Sequence, residues 1–116
     1  MLEFDHVAIV AKDIGASVTF YVERFGAAVL YQDKTWALLQ LGGGKVALVT
    51  PEQHPPHVAL RVDEATLKTQ AQQFKIAIES HRDGTCGVYL PDPGGNVVEL
   101  IWYPHTVEMP GDTAKP

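Results

Sequence analysis

A glutamate in an otherwise apolar stretch is the first sign of chemistry in this chain. Glu99 lies in residues 97–102 (VVELIW), whose other members favour burial on both faces of a strand. Burying an unpaired carboxylate costs several kcal/mol. Glu99 therefore either faces water from an edge strand or is held by a cation or a metal ion.

Two histidines are suitable partners for such a carboxylate. His6 and His57 each open an apolar strand, in the similar segments 5–10 (DHVAIV) and 56–61 (PHVALR). A single strand histidine is usually a hydrogen-bonded core or rim residue. Two histidines at matched positions of a repeat, related by a pseudo-twofold axis, would instead lie close together. Glu99 would then reach them from a last strand. Two imidazoles and one carboxylate form a facial triad with open coordination positions, which suits Fe2+ or Mn2+ and is also compatible with Zn2+.

His81 and Tyr89 are weaker candidates by themselves. A histidine before a glycine-containing loop is most often solvated, and a strand tyrosine most often packs in the core with its hydroxyl satisfied. Arg61 shares strand parity with His57 and points either into the same concavity or to a surface partner. Cys86 has no evident activating base beside it, so we predict that it is a bystander.

The predicted elements that position these residues occur twice in the same order: a strand, a helix and three strands. Asp13 is suited to cap the first helix and Gly26 to end it, and a Gly-Gly-Gly turn joins two strands. The repeated order and the similar segments indicate an internal repeat. The predicted first copy has a strand at 2–10, a helix at 14–24 and strands at 28–31, 35–41 and 45–50. After a linker at 51–56, the second has a strand at 57–62, a helix from 63 or 64 to 74 and strands at 76–80, 87–90 and 96–103.

Length and composition bound what such a chain can be. Its 116 residues, 46% of them hydrophobic, are enough for one domain, and a net charge of −5 disfavours nucleic acid as a partner. One cysteine excludes an internal disulfide framework, the first six residues carry acids where a signal peptide needs cations, and no apolar run approaches ~20 residues. We therefore expect a cytoplasmic domain at 1–104, in two modules of about 1–52 and 53–104, with no membrane partner and a flexible C-terminal tail at 105–116.

Several segments together resemble one superfamily. They are residues 5–9 (DHVAI), 20–21 (FY), 25–26 (FG), 57–60 (HVAL) and 89–99 (YLPDPGGNVVE). Over residues 2–103 the chain is similar to the vicinal oxygen chelate superfamily, which includes glyoxalase I, methylmalonyl-CoA epimerase, extradiol dioxygenases, fosfomycin-resistance proteins and bleomycin-binding proteins. The resemblance implies an α+β fold in which two paired βαβββ modules form a curved open mixed sheet, the glyoxalase/dioxygenase-like fold. It also implies a homodimer, and a divalent metal held by His6, His57 and Glu99.

Departures from the family pattern narrow the expected chemistry. Glyoxalase and epimerase members usually place a Glu or Gln ligand on the fourth strand, and the matching residue here is Ala47. Residues 81–99 are similar to the extradiol dioxygenase signature, although Glu79 departs from it. That similarity would make His81 the candidate acid/base and Tyr89 the candidate oxyanion donor. An anion-binding role is disfavoured, because Glu79 and Glu108 stand near the positions where the basic, phosphonate-binding residues of fosfomycin-type enzymes would be expected.

Two classes of function follow from these expectations. The first is a metal-dependent enzyme that chelates a small oxygenated substrate, with ring-cleaving dioxygenase chemistry ahead of glyoxalase-type lyase or isomerase chemistry. Fe2+ or Mn2+ is favoured as its metal, with Zn2+ or Ni2+ as alternatives. The second is a metal-free binding protein of the bleomycin-resistance type, favoured by the acidic balance, by two tryptophans and by Ala47. The three intact ligand-type residues oppose it.

Overall fold

The order strand, helix, three strands occurs twice in the computed structural model, which describes residues 2–81 and 83–104. The tail predicted at 105–116 lies outside the described residues. The predicted α+β fold is confirmed. The elements are β1 Leu2–Val10, α1 Ile14–Phe25, β2 Ala28–Gln32, β3 Trp36–Leu41, β4 Gly44–Val49, β5 His57–Val62, α2 Glu64–Phe74, β6 Glu79–Ser80, β7 Cys86–Pro91 and β8 Val97–Trp102.

The helix ends follow the capping residues. Asp13 accepts a hydrogen bond from the backbone of Ala16 at 3.0 Å, and Gly26 ends α1 with a φ of 71°. In the second copy, the Asp63 side chain accepts from the backbone of Thr66 at 2.8 Å. Neither helix in the described part of the chain is long and apolar enough to cross a membrane.

The sixth strand is much shorter than predicted, covering only Glu79–Ser80 instead of 76–80. The cause lies in the end of α2, where Lys75 adopts the left-handed conformation with a φ of 57°. The backbone N–H of Ile76 then donates to the carbonyl of Ala71, and its side chain packs against the core of the second copy. The backbone N–H of residue 76 is therefore used at the helix terminus and is not available to pair with a strand of the sheet. The other element boundaries differ from the predicted ones by one residue or none.

All eight strands form one sheet in the order β2-β3-β4-β1-β5-β8-β7-β6. We call β1–β4 with α1 the first module, and β5–β8 with α2 the second. The first strands of the two modules pair antiparallel at the centre, and each pairs parallel with the last strand of its own module. This is the pairing that the pseudo-twofold repeat predicts.

Each module has its own core cluster between its helix and the sheet, with Val18 and Leu39 in the first and Leu67 and Val88 in the second. A third cluster is formed in the first module by Ala8, Leu38, Ala47 and Val49, without helix residues. The first module therefore packs apolar side chains on both faces of its sheet.

Asp33 organises the turn between β2 and β3. Its carboxylate accepts hydrogen bonds from the Tyr31 hydroxyl at 2.6 Å, from the backbone and hydroxyl of Thr35 at 2.7 and 2.9 Å, and from the backbone of Trp36 at 2.9 Å. Burial alone would raise the pKa of Asp33, but these hydrogen bonds outweigh it and lower the pKa from 3.8 to about 2. The ionised side chain therefore stabilises the folded state.

We expect Asp33→Asn to destabilise the protein by about 1 kcal/mol at pH 7, a value reduced for solvent screening of a partly exposed carboxylate. Because the pKa of Asp33 is lower in the folded state, its contribution is complete above pH 3.8 and is lost as the pH falls through about 2. Urea unfolding of both proteins at pH 7 and at pH 2.5 measures this. A difference in unfolding free energy that does not shrink at the lower pH would contradict it.

Candidate metal centre

His6, His57 and Glu99 meet at the centre of the sheet, and all three come from one chain. Their potential ligand atoms lie within 4.8 Å of one another, and His57 Nε2 lies 3.3 Å from Glu99 Oε1. Strand register brings them together, because His6 pairs with Ala59 on β5 and Ala59 pairs with Glu99 on β8. Ala59 is buried and has the smallest side chain that still has a Cβ, so the space between the two larger residues stays open. His57 lies two residues before Ala59, on the same face.

The three residues fit a divalent metal ion. Metal–nitrogen and metal–oxygen distances of about 2.0–2.2 Å place neighbouring donor atoms about 3 Å apart. The separation of 3.3 Å between His57 and Glu99 is close to that value. Glu99 is only 3% exposed, and a carboxylate at that depth requires a cation or strong hydrogen-bond donors. Sequence reasoning expected such partners, and the structure provides them.

Each histidine of this set is oriented by a hydrogen bond through its other nitrogen. His57 Nδ1 donates to the backbone carbonyl of Pro55 at 2.7 Å, and His6 Nδ1 donates to Asp5 Oδ2 at 2.6 Å. This leaves Nε2 of each ring as the atom for a metal, and such partners raise the basicity of a ligating imidazole. A bulge in β1 makes the second contact feasible, because Asp5 has no register partner on β5, between Phe4 and His6.

The Asp5 carboxylate has a second hydrogen-bond partner besides His6. The hydroxyl of Tyr103 donates to it at 3.0 Å, and burial together with Asp5 raises the pKa of Tyr103, so this hydroxyl keeps its proton. The guanidinium of Arg61 lies over the Tyr103 ring at 4.5 Å. This stacking holds the Tyr103 ring in place and so supports the Asp5–His6 pair indirectly.

The second oxygen of Glu99 contacts His81, whose Nε2 lies 3.1 Å from Oε2. Burial would raise the pKa of Glu99, but hydrogen bonds from His57 and His81 and the charge of His6 lower it to about 2. The hydrogen bond to Glu99 also raises the pKa of His81. For His57, hydrogen bonds to Glu99 and Pro55 outweigh burial and raise the pKa as well. These contacts with His57 and His81 therefore stabilise the Glu99 carboxylate, and a divalent ion at this position would compete with the protons of the two histidines.

Tyr89 has a partner that the sequence analysis missed. Its hydroxyl lies 3.2 Å from Nδ1 of His54, and the two rings stack with centroids 5.8 Å apart. Burial and the nearby Glu99 raise the pKa of Tyr89, while burial lowers the pKa of His54, so the phenol is the proton donor of the pair. The only sequence signal for His54 is its position three residues before His57, in a segment that predicts no regular structure.

A cavity of about 320 Å³ opens beside the three candidate ligands. His81 and Tyr89 also line it, so all five predicted site residues share one cavity. The first module contributes an apolar wall, and the second contributes most of the polar groups. The apolar wall consists of Ala8, Trp36, Leu38, Ala47 and Val49.

Ala47 lies at the β4 position that the sequence singled out, buried and opposite Ala8 and Leu38 in register. None of these three side chains can coordinate a metal, so a metal here would keep open positions toward the apolar wall. Only one of the two tryptophans is available for stacking on a ligand: Trp36 lines the cavity, whereas Trp102 packs against the core of the second module.

The fold and these residues define a member of a known superfamily. The family model of the Glyoxalase/Bleomycin resistance protein/Dioxygenase superfamily matches residues 3–100, and the chain belongs to that superfamily. The resemblance noted from the sequence is thereby confirmed. No protein of curated function matches the chain in sequence.

Solved structures show the same fold at low sequence identity. A hypothetical protein, BH1468, from Bacillus halodurans C-125 superposes with a TM-score of 0.71 at 20% identity, over 92% of this chain and 98% of that one. Methylmalonyl-CoA epimerase from Mycobacterium tuberculosis gives 0.70 at 17% identity, over 90% of both chains. A glyoxalase/bleomycin resistance protein/dioxygenase superfamily member from Vibrio splendidus 12B01 gives 0.68 at 19% identity, over 89% of this chain and 100% of that one.

Proposed function

We propose that this protein is a divalent-metal-dependent enzyme that binds a small oxygenated organic substrate through two vicinal oxygen atoms. The observation that carries the proposal is the convergence of His6, His57 and Glu99 at a cavity whose facing wall offers no further ligand. A divalent ion held there would act as a Lewis acid and stabilise negative charge on the substrate oxygens. Fe2+ or Mn2+ suits two imidazoles and one carboxylate best, with Zn2+ or Ni2+ as alternatives.

The protein groups beside the metal site have distinct proposed roles. His81 is the candidate acid/base, because it lines the cavity and shares a hydrogen bond with Glu99. Tyr89 is the candidate oxyanion donor, because its raised pKa keeps the hydroxyl protonated. His54 accepts a hydrogen bond from that hydroxyl in the absence of substrate and thereby holds it in place.

We place ring-cleaving dioxygenase chemistry ahead of lyase or isomerase chemistry. Three protein ligands leave positions for both substrate oxygens and for O₂, and the apolar wall around Trp36 suits a planar ring. The missing ligand at Ala47 argues against a four-ligand isomerase. Screening the Fe2+ protein with catechols and O₂, and the Ni2+ or Zn2+ protein with methylglyoxal–thiol adducts, separates the two classes.

We expect purified wild-type protein to contain close to one divalent ion per chain, and His57→Ala to contain far less. A metal present at about 100 times its dissociation constant should stabilise the wild-type protein by about 2.7 kcal/mol, which raises the melting temperature by several degrees. Metal analysis and thermal melts with Mn2+, Fe2+, Zn2+ and Ni2+ measure both effects.

His54→Ala is the matched control for this experiment, since it removes a neighbouring cavity histidine outside the candidate ligand set. It should keep the metal content of the wild type. Equal metal content in wild type and His57→Ala would reject the site. A melt that responds to a cationic aromatic compound and to none of the four metals would favour the metal-free binding protein.

A further inference from the structure

Among the described residues that line the cavity, Lys45 is the one with a cationic side chain that the proposed chemistry leaves unused. It lies on β4, where Val46 pairs with Val7 of β1, so Lys45 is the register neighbour of His6. Neighbours in a parallel ladder share a face, and both residues line the cavity. The structure therefore places a half-buried lysine side chain in the cavity of the candidate metal centre.

Among the described residues, no acidic side chain of the cavity pairs with Lys45. Across residues 2–81 and 83–104, its side chain forms no ion pair or hydrogen bond. The three acidic residues that line the cavity are all engaged elsewhere: Asp5 with His6 and Tyr103, Asp83 with Thr85, and Glu99 with His57 and His81. A partly desolvated ammonium group gains most from an anion that completes its pairing.

The side chains near Lys45 indicate the chemistry of the rest of a ligand that would carry such an anion. Ala47 and Val49 follow it on the same face of β4, and Leu38 and Trp36 face them from β3. A bound molecule that reaches Lys45 therefore contacts apolar side chains over much of its body. We infer that the substrate carries a carboxylate that pairs with Lys45, in addition to the two vicinal oxygens, on a small apolar or aromatic frame.

This inference rests on the proposed function and adds the charge of its substrate. It differs from the phosphonate binding that the sequence disfavours. That expectation concerned positions near Glu79 and Glu108, whereas Lys45 lies on β4 of the first module. It makes Lys45 a specificity-determining residue, since a neutral analogue would leave the ammonium group unpaired.

Two catechols that differ only at one substituent test the inference. 3,4-Dihydroxybenzoate and 4-methylcatechol share the ring and the vicinal hydroxyls, but only the first carries a carboxylate. Titration calorimetry on Zn2+-treated protein, without O₂, compares wild type with Lys45→Met. We expect the variant to bind 3,4-dihydroxybenzoate about 10- to 100-fold more weakly and 4-methylcatechol within about twofold of wild type.

Lys34→Met is the matched control, because Lys34 is exposed in the β2–β3 turn and lies outside the cavity. It should change neither affinity, and Lys45→Arg should restore most of the binding of 3,4-dihydroxybenzoate. Equal losses for the two catechols in Lys45→Met, or no loss for either, would overturn the inference. Zinc content is measured on the same samples: a wild type without zinc contradicts the proposed metal centre, while the ratio of the two affinities still decides the role of Lys45.

Discussion

The Glu99→Gln variant should bind divalent metal at least about 100-fold more weakly than the wild type. Losing a hydrogen-bond partner outside the coordination shell already costs about 10- to 100-fold in metal affinity, and here the anionic ligand itself is removed. Glutamine keeps the size of the side chain but not its charge, so only the two candidate imidazole ligands, His6 and His57, remain to hold the ion. Competition with a chromophoric chelator measures the affinity.

The Glu79→Gln variant is the matched control, because Glu79 is an exposed glutamate on β6 outside the candidate ligand set. It should bind metal like the wild type. Melting curves of all three proteins in the presence of a chelator establish that each is folded, so that weak binding reports on the site alone. Wild-type affinity in Glu99→Gln would show that the metal, if bound, is held elsewhere.

Gly87→Ala should damage both the metal site and the stability of the protein. A Cβ on Gly87 would lie 2.9 Å from Glu99 Oε2, 3.0 Å from His81 Nε2 and 3.0 Å from the backbone oxygen of Leu100. The backbone of β8 cannot move away without breaking the sheet, so the Glu99–His81 pair must separate. Overpacking of this kind costs about 1–3 kcal/mol, and we expect metal affinity to fall by about 10- to 100-fold as well.

The comparison for this variant is Gly43→Ala, in the turn between β3 and β4. A Cβ at Gly43 meets no atom within 4 Å, and its φ is not in the left-handed region, so the substitution should be close to neutral. Urea unfolding and chelator competition measure both variants. If Gly87→Ala kept wild-type stability and affinity, the contact between Glu99 and His81 would not matter for the site.

Local sequence was sufficient to place the elements. Alternation of apolar residues marked β1 and β5, and Asp13 and Gly26 marked the ends of α1, because strand periodicity and helix capping depend on neighbours along the chain. The one clear error, an overlong sixth strand, arose where a non-glycine residue, Lys75, took the left-handed conformation that ends α2. Propensity does not anticipate that choice, since it depends on the packing of Ile76 into the core.

The sequence also determined the candidate ligand set. His6 and His57 stand at matched positions of a repeat, and Glu99 is a charged residue in a strand that otherwise favours burial. Both features can be read from the sequence alone. A repeat implies a symmetry that brings matched residues together, and a buried carboxylate requires a partner.

Only the tertiary structure decided what surrounds those ligands. The contacts between His54 and Tyr89, and between His81 and Glu99, join residues 35 and 18 positions apart. The register neighbour of His6 is Lys45 because β1 pairs parallel with β4, a choice that belongs to the whole sheet. Local periodicity shows which face a side chain occupies, but sheet order and register decide which side chains from distant segments share that face. The residues around the candidate metal centre, and with them the inferred charge of the substrate, therefore follow from the fold and not from any local pattern.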